Sequence, residues 1–411
     1  MTTATDSELE AQLRTARAGL TSLGALGDRV ARLMLGPADP YPVYAQMRAR
    51  GPVQKSRIGI YAVISREIGD SVLRDRRFGR RTLTGYWPQG TSTFDNSFLA
   101  MDPPEHTRLR KLAMPAFSPK TIGLLRPDIE RACHELLDEV DSSRPFDLMT
   151  QFAKRVPCAV IATLFGIPES RQAEFDELAA GLSLVLDGVV SLEEAKRLQD
   201  AVDGMTALFT ELLELRVAEP GDDLVSRLLR SVDGDRLTAD ELVAMCGMLS
   251  LAGTETTVNL IGNGVLALLS NPAQWELLKE TPDLAPRAVE EALRYDTSVL
   301  MQARFAHEDV ELAGKKIPVD SQVTILTGAC NRDPEAFENP DVFDLTRPPG
   351  PDHISFSSGI HYCVGAPLAR LEGDVAFRVL LDRFPDLQQA AEVTRRTSPF
   401  IRGLHTFPVT A

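Results

Sequence analysis

Apolar residues recur at helical spacing along most of the chain, and only short stretches alternate between apolar and polar positions. The alternating stretches, 59–64 and parts of 310–326, predict short strands. The pattern as a whole predicts a mainly α fold with a minor β region. The predicted helices cover 127–140, 169–186, 192–219, 238–270, 285–295 and 366–383.

Two long stretches, 80–99 and 331–362, follow neither pattern. Irregular segments of that length are uncommon in a compact domain unless they bind something. No linker rich in Pro, Gly or Ser and no internal repeat divides the sequence. We therefore predict a single domain over 1–411, with roughly 1–20 as a flexible N-terminus.

Charge and composition narrow the class of protein. The chain has 411 residues, 44% of them hydrophobic, and a formal net charge of −14, which argues against binding to nucleic acid. Its first 20 residues have neither the apolar core of a signal peptide nor the length of a membrane span. We expect a cytoplasmic protein without a membrane anchor, and we expect a monomer.

The five cysteines show no C-x-x-C spacing, which argues against a disulfide framework and a zinc ribbon. The ordinary role of such a cysteine is that of a small buried side chain. Cys363 differs, because it lies in a glycine-punctuated loop that runs directly into a predicted helix. The N–H groups and dipole at a helix start stabilise a thiolate. Gly359 and Gly365 let the backbone turn around the sulfur and leave room for a flat ligand.

The predicted helix over 238–270 opens with a capping box, Thr238 and Glu241. Its apolar face by itself indicates only a buried core helix. The middle, Ala252-Gly253-Thr254-Glu255-Thr256-Thr257, is unusual because Gly costs about 1 kcal/mol relative to Ala in a helix. Threonines there divert backbone hydrogen bonds. A core role does not explain why polar and flexible residues interrupt the helix.

The loop sequence F-S-S-G-I-H-Y-C-V-G resembles the signature F-x-x-G-x-x-x-C-x-G of the cytochrome P450 family. The family more often has Gly at the position of Ser357 and Leu or Ile near Val364. Further landmarks occur in family order: A-G-T-E-T-T, and the E-x-x-R pair of Glu291 and Arg294. Taken alone, that pair is typical of a surface ion pair worth a few tenths of a kcal/mol. The resemblance implies instead a buried trio with Arg347 that braces the cysteine loop.

The resemblance implies the P450 fold, with a long oxygen-binding helix over the haem and Cys363 as ligand of its iron. Proton delivery in a dry pocket needs a hydroxyl that positions water and an acid that connects to solvent. Thr256 matches the first role and Glu255 the second. The alternative for Thr256 is a hydrogen bond to the preceding turn, and Thr257 is expected to be structural.

Haem also carries two propionates, which need cationic or hydrogen-bonding partners. His106 and Arg110, one helical turn apart, match the family's partners, and Arg304 and His361 are two further candidates. Within the motifs, Phe356, Gly365 and Ala252 are the other expected haem contacts. A zinc site built from His361 and Cys363 is a rival, but two ligands leave a tetrahedral set incomplete.

By resemblance, an apolar substrate pocket forms between several segments, although a set of apolar residues is more often plain core. The expected lining residues are Leu83, Phe94, Leu99, Leu182, Val185, Met245, Leu249, Leu300 and Phe400.

No flavin- or nicotinamide-binding glycine fingerprint is present, so we expect electrons to come from outside the chain. The family resemblance implies that they come from NAD(P)H through an acidic ferredoxin or flavodoxin with its reductase. A positive docking patch of Arg108, Lys111, Lys120 and Arg370 is one hypothesis, and scattered solvated charges are the other.

The predicted function is hydroxylation or epoxidation, with haem b and dioxygen, of a hydrophobic secondary metabolite such as a polyketide or macrolide. Oxidative coupling or peroxide-driven oxidation at the same iron is a second enzymatic hypothesis. A haem gas sensor or carrier is the non-enzymatic one, and the Glu255-Thr256 pair argues against it, since a carrier has no need to deliver protons.

Overall fold

The structure, a computed structural model, describes residues 6–85, 97–230 and 237–411. Helices dominate it, as the apolar pattern predicts. The α-helices are α1 Asp6–Ala25, α2 Arg29–Leu33, α3 Tyr41–Arg48, α4 Arg66–Arg74, α5 Glu105–Ala113, α6 Pro119–Gly123, α7 Arg126–Asp138, α8 Arg155–Phe165, α9 Gln172–Leu182, α10 Leu184–Asp187, α11 Leu192–Ala218, α12 Leu224–Leu229, α13 Ala239–Leu269, α14 Pro272–Glu280, α15 Ala285–Tyr295, α16 Thr327–Cys330 and α17 Ala366–Arg383.

The strands are short and form small sheets. They are β1 Val53–Lys55, β2 Tyr61–Val63, β3 Phe78–Gly79, β4 Phe146–Asp147, β5 Gln302–Ala306, β6 Val310–Leu312, β7 Lys315–Ile317, β8 Gln322–Ile325, β9 Gln388–Gln389, β10 Thr394–Arg395, β11 Leu404–Thr406 and β12 Pro408–Thr410. The largest sheet has the order β1-β2-β8-β5-β3. In it β2 and β8 are parallel, with Tyr61 opposite Val323, and the other neighbours are antiparallel.

Most predicted helices are confirmed, two of them with their predicted ends, α15 and α17. The helix predicted over 169–186 is broken. Residues Glu169–Arg171 form a 3-10 turn, α9 ends at Leu182, and α10 follows after Ser183, whose hydroxyl donates to the Ala180 carbonyl at 2.8 Å. The break matters because α10 lies at the cavity described below.

Helix α13 lies at the centre of the fold and packs against α8, α11, α15 and α17. Its predicted capping box is confirmed, because the Glu241 N–H donates to Thr238 Oγ1 at 3.1 Å and the Thr238 N–H donates to Glu241 Oε2 at 2.9 Å. The helix is continuous from Ala239 to Leu269 and largely apolar, so burial on nearly all sides stabilises it in spite of Gly253 and the threonines. It supplies a fixed wall for whatever binds beside it.

The N-terminal stretch for which flexibility is predicted lies within α1 from residue 6 onward, and most of its residues are exposed. Among the helices that the structure describes, none combines the length and apolar character needed to cross a membrane.

Candidate active site

Cys363 lies in a tight loop three residues before α17 begins at Ala366. Its N–H donates to the Phe356 carbonyl at 2.8 Å, which closes the loop. Gly359 has φ +66°, and a Cβ there would approach the Leu73 carbonyl oxygen to 2.5 Å, so only Gly fits. Ser357, where the family more often has Gly, also has positive φ, +64°, and its hydroxyl accepts a hydrogen bond from Arg304 at 3.3 Å. A positive φ strains the backbone of a serine, and Ser357 makes this hydrogen bond while in that strained conformation.

The Cys363 side chain faces a cavity of about 340 Å³ beneath α13. Burial raises the pKa of its thiol, whereas the Gly365 N–H and the Arg110 guanidinium act in the opposite direction. A coordinated metal ion deprotonates a thiol outright, so this setting suits a metal ligand rather than a free thiolate. A Cβ at Gly365 would meet the sulfur at 3.9 Å, which shows how closely this glycine borders it.

The cysteine loop is braced by Glu291, Arg294 and Arg347, as the family resemblance implies. Glu291 accepts from Arg294 at 2.7 and 2.8 Å and from Arg347 Nε at 3.2 Å with both oxygens. The side chains of Glu291 and Arg294 are only 5% and 3% exposed, so the pair is not the surface ion pair that its spacing alone would indicate. The remaining guanidinium N–H groups donate to carbonyls of the irregular segment before the cysteine, from Asn331 to Val342. Two arginines thus satisfy the backbone of a loop that has no secondary structure of its own.

The cavity is lined by both basic and apolar residues. Arg80, Arg110, Arg304 and His361 line the cavity together with Cys363. The apolar lining includes Phe98, Leu99, Ile161, Val185, Leu186, Met248, Leu249, Ala252, Val299, Met301, Phe400 and Ile401.

His106 lies behind His361, with ring centroids 4.2 Å apart, and is 2% exposed. Neither of its ring nitrogens has a hydrogen-bond partner within the described residues. Burial, together with the nearby Arg110 and Arg304, lowers the pKa of His106 to about 4. Burial likewise lowers the pKa of Arg304 to about 10. Buried cations and unpaired donors at one wall of a cavity are an arrangement that an anionic ligand would complete.

In the middle of α13 the side chains of Thr256 and Glu255 point in different directions. Thr256 lines the cavity, and its hydroxyl donates to the Ala252 carbonyl at 2.8 Å, which is the alternative bond that the sequence allows. Glu255 does not line the cavity. Its carboxylate pairs with Arg396 and accepts from Asn259 Nδ2 at 3.1 Å. Gly253 packs against α8, where a Cβ would meet Ile161 at 2.7 Å.

The family model for the cytochrome P450s matches residues 58–399, which is most of the chain. The chain belongs to the cytochrome P450 family. It is therefore an enzyme of the monooxygenase class, and the family works with haem iron, oxygen and transferred electrons.

Relatives of this P450 match over most of their length. A polyketide biosynthesis cytochrome P450, PksS, of Bacillus subtilis is 42% identical over 318 residues, 76% of each chain. The 6-deoxyerythronolide B hydroxylase of Saccharopolyspora erythraea is 38% identical over 392 residues, 90% of this chain and 96% of that one. The structure of P450BioI, in complex with an acyl carrier protein ligated to hexadec-9Z-enoic acid, superposes with a TM-score of 0.84 at 39% identity, covering 90% of this chain and 98% of that one.

The structure separates the predicted site residues of this P450 into two groups. Those that line the cavity are Cys363, Thr256, Arg110, Arg304, His361, Phe356, Gly365, Ala252, Leu99, Val185, Leu249 and Phe400. His106 lies one layer back, and Glu255 turns toward Arg396.

Four expected pocket residues do not line the cavity, and those predictions are corrected. Leu182 and Met245 are fully buried in the main hydrophobic core, because they lie on faces of α9 and α13 that turn inward. Leu300 packs at Gly328 and Tyr44, and Leu83 is 61% exposed. Phe94 lies outside the described residues.

Sequence reasoning missed three residues at this site. Arg80 lines the cavity from the irregular segment near β3, and its guanidinium donates to the Leu99 and Ala303 carbonyls at 3.0 Å. Glu372 on α17 also lines it, with both carboxylate oxygens buried and without partner in the described residues, and burial raises its pKa well above the usual range. Arg396 holds Glu255. Only Glu372 had a local signal, an acid on the otherwise apolar face of a predicted helix.

Proposed function

We propose that this P450 holds haem b in the cavity beneath α13, with Cys363 as the iron ligand, and hydroxylates or epoxidises a lipophilic secondary metabolite such as a polyketide or macrolide. The observation that carries the proposal is that Cys363, just before a helix start, lines a cavity together with buried arginines and many apolar residues. When bound, the haem supplies the reduction and cleavage of dioxygen, which a thiolate ligand promotes by donating electron density.

The residues present fit this cofactor. The propionates would pair with Arg110 and Arg304, and the single N–H of the neutral His106 ring, whose nitrogens have no partner in the described protein, would donate to one of them. Arg80 adds a further buried cation. Gly365, Ala252 and Phe356 line the space that the flat macrocycle would occupy. The arginines keep bonds to carbonyls and to Ser357 within the protein, and an anion in the cavity would compensate their buried positive charge.

Arg304→Gln is expected to release haem faster than the unaltered enzyme, because a charge-assisted hydrogen bond in a buried site contributes about 1.5–3 kcal/mol. That corresponds to about tenfold to hundredfold faster transfer of haem to an acceptor apoprotein, followed by absorbance. The control is Arg144→Gln, which removes an exposed ion pair with Asp141. An Arg304→Gln enzyme that retains haem as well as the control would exclude Arg304 as a propionate partner.

Thr256, Glu255 and Glu372 are the residues that we propose deliver protons to the cavity. The Thr256 hydroxyl faces the cavity and can hold a water molecule there. Glu255, held by Arg396, is the acid on the far side of the helix that connects to solvent. Burial raises the pKa of Glu372 well above its usual range, which favours the protonated form, and this acid is a second group in the cavity wall that can hold a proton. Proton delivery to a defined place is what distinguishes an oxygenase from a gas carrier.

Thr256→Ala is expected to lower the yield of product per electron by about one to two orders of magnitude, because a positioned proton donor contributes that much or more. Oxygen uptake should continue, with hydrogen peroxide as its product. Thr256→Ser keeps the hydroxyl and should stay close to the unaltered enzyme. If Thr256→Ala matched Thr256→Ser, the hydroxyl would serve only its bond to Ala252.

The substrate proposal rests on the many apolar residues that line the cavity and on the relatives. One relative acts in polyketide biosynthesis and another is a hydroxylase of 6-deoxyerythronolide B. P450BioI instead binds an acyl chain on a carrier protein, so a carrier-linked acyl substrate is the second candidate. Screening free macrolides, fatty acids and acyl carrier conjugates by the change they cause in the haem spectrum separates the two. A response only to the conjugates would favour the carrier-linked class.

Turnover under ¹⁸O-labelled dioxygen tests the reaction itself. One labelled oxygen atom should enter the product and the other should appear as water. Equal yield from hydrogen peroxide without an electron donor would favour the peroxide-driven alternative. A product without label would favour oxidative coupling.

We propose that electrons reach this cytoplasmic, monomeric enzyme from NAD(P)H through an acidic ferredoxin or flavodoxin with its reductase. The docking patch is smaller than the sequence suggests. Arg108 pairs with Glu241, and Arg370 pairs with Glu290 at 2.6 Å, so their charges are locally compensated. Lys111 and Lys120 remain exposed.

A further inference from the structure

Arg396 joins two carboxylates that come from different parts of the chain. It follows directly after β10, and its side chain is 13% exposed. One terminal nitrogen of the guanidinium, Nη1, pairs with Glu255 of α13, and the other, Nη2, pairs with Asp187 at the end of α10. The planar, forked guanidinium can bind both acids at once in a fixed geometry.

The three elements that meet at Arg396 are all walls of the cavity. Helix α10 contributes Val185 and Leu186. The segment between β10 and β11 contributes Phe400 and Ile401, and α13 contributes Thr256. A displacement of α10 therefore changes the cavity and the environment of Arg396 together.

Helix α10 is held by few bonds. It has four residues, none of them fully buried, and it ends at Gly188 with φ +82°. Ser398 Oγ donates to the Leu186 carbonyl at 3.1 Å. The Oδ1 atom of Asp187 is buried without a hydrogen-bond partner in the described residues, so Arg396 supplies the main polar contact of this carboxylate. The Arg396–Asp187 pair is thus the principal ionic anchor of α10.

The same arginine sets the orientation of Glu255. The carboxylate lies outside the cavity lining, held by Arg396 and by Asn259 Nδ2 at 3.1 Å. The next residue, Thr256, faces the cavity. Without Arg396, Glu255 would be a partly buried anion with Asn259 as its remaining side-chain partner, which is unfavourable.

We propose that Arg396 is a positioning residue that couples the seating of α10 over the cavity to the orientation of Glu255. With α10 seated, Asp187 fixes one side of the guanidinium, and the other side then holds Glu255 in a single orientation beside Thr256. With α10 displaced, Arg396 loses its second partner and the Glu255 side chain gains freedom. A substrate that packs against Val185 and Leu186 thereby orders the acid that serves the reaction. The consequence for proton delivery rests on the proposed function. The coupling between α10 and Glu255 through Arg396 does not rest on it.

The test is a double-mutant cycle in the haem-loaded full chain. Asp187→Asn should raise hydrogen–deuterium exchange in peptides covering 183–190 by about fivefold, as expected when one partly buried ion pair is lost. In an Arg396→Gln background, which has already lost the pair, Asp187→Asn should add almost nothing. Arg396→Lys is the fallback if the glutamine variant folds poorly, because a point charge cannot bind both acids in the same geometry. The matched control is Asp200→Asn, on the exposed face of α11.

A second measurement reports on the surroundings of the bound haem ligand rather than on α10. The stretching band of carbon monoxide bound to the reduced enzyme reports the polar groups around it, and Asp187→Asn should broaden or split this band while Asp200→Asn leaves it single. Three outcomes would each overturn the coupling. Asp187→Asn could have equal effects in the unaltered enzyme and in the Arg396→Gln variant, or it could leave hydrogen–deuterium exchange unchanged. It could also raise the exchange and leave the carbon monoxide band unchanged. Absence of a thiolate-type carbon monoxide spectrum in the unaltered protein would contradict the proposed function instead, and the exchange cycle would still be interpretable.

Discussion

Glu291→Ala is expected to leave little folded, haem-loaded protein. The substitution removes the carboxylate that both Arg294 and Arg347 bind, and Arg294 is 3% exposed. Removing one partner of a buried ion pair costs about 3–5 kcal/mol, because the other charge stays buried without compensation. Domains of ordinary stability have about 5–15 kcal/mol in total. The lost stability would affect mainly the irregular segment whose carbonyls the two arginines bind. It would therefore also affect the loop that carries Cys363.

The matched control for this substitution is Glu276→Ala. Glu276 also pairs with a cation three residues later, Lys279 at 2.8 Å, but the Glu276 side chain is 56% exposed. Such a pair contributes at most about 0.5 kcal/mol. Urea unfolding and the haem-to-protein absorbance ratio measure both variants. If Glu291→Ala lost no more stability than Glu276→Ala, the trio would not brace the loop.

The buried trio with Arg347 follows from the family resemblance, whereas the local signals predict the helices and the spacing of Glu291 and Arg294. Spacing places Glu291 and Arg294 on one helical turn, and the capping box marks the start of α13 before any tertiary contact is known. The apolar pattern predicts α15 and α17 with their observed ends. What spacing alone misjudges is burial, because an exposed pair and a buried pair have the same sequence pattern.

The rest of the site could not be predicted because it depends on long-range contacts. Arg396 and Glu255 are 141 residues apart, and nothing near either of them indicates the other. Arg80 enters the cavity from an irregular segment without periodicity. Leu182 and Met245 show the same limit for apolar residues: periodicity predicts that they face inward, but not whether they face the core or the cavity.

Cys363→Ala is expected to abolish thiolate ligation while preserving most of the fold. The loop is held by backbone bonds such as Cys363 N–H to the Phe356 carbonyl at 2.8 Å and by the trio, none of which needs the sulfur. Haem would lose its iron ligand and keep the contacts to Arg110, Arg304 and His106 that we propose. Binding should weaken, and monooxygenase activity should fall below detection because no thiolate donates to the iron.

Cys158→Ala is the matched control, because Cys158 is another free, partly buried cysteine of this chain. It lies on α8, and burial raises the pKa of its thiol to about 12, so it is a small apolar side chain in character. Its removal should leave haem ligation unchanged.

The absorption spectrum of the reduced carbon monoxide complex tests the central claim most directly. The unaltered enzyme and Cys158→Ala should both show a Soret band shifted strongly to the red of that of a histidine-ligated haem, and Cys363→Ala should lose this band. A red-shifted band that persists in Cys363→Ala would contradict the assignment of Cys363 as the iron ligand.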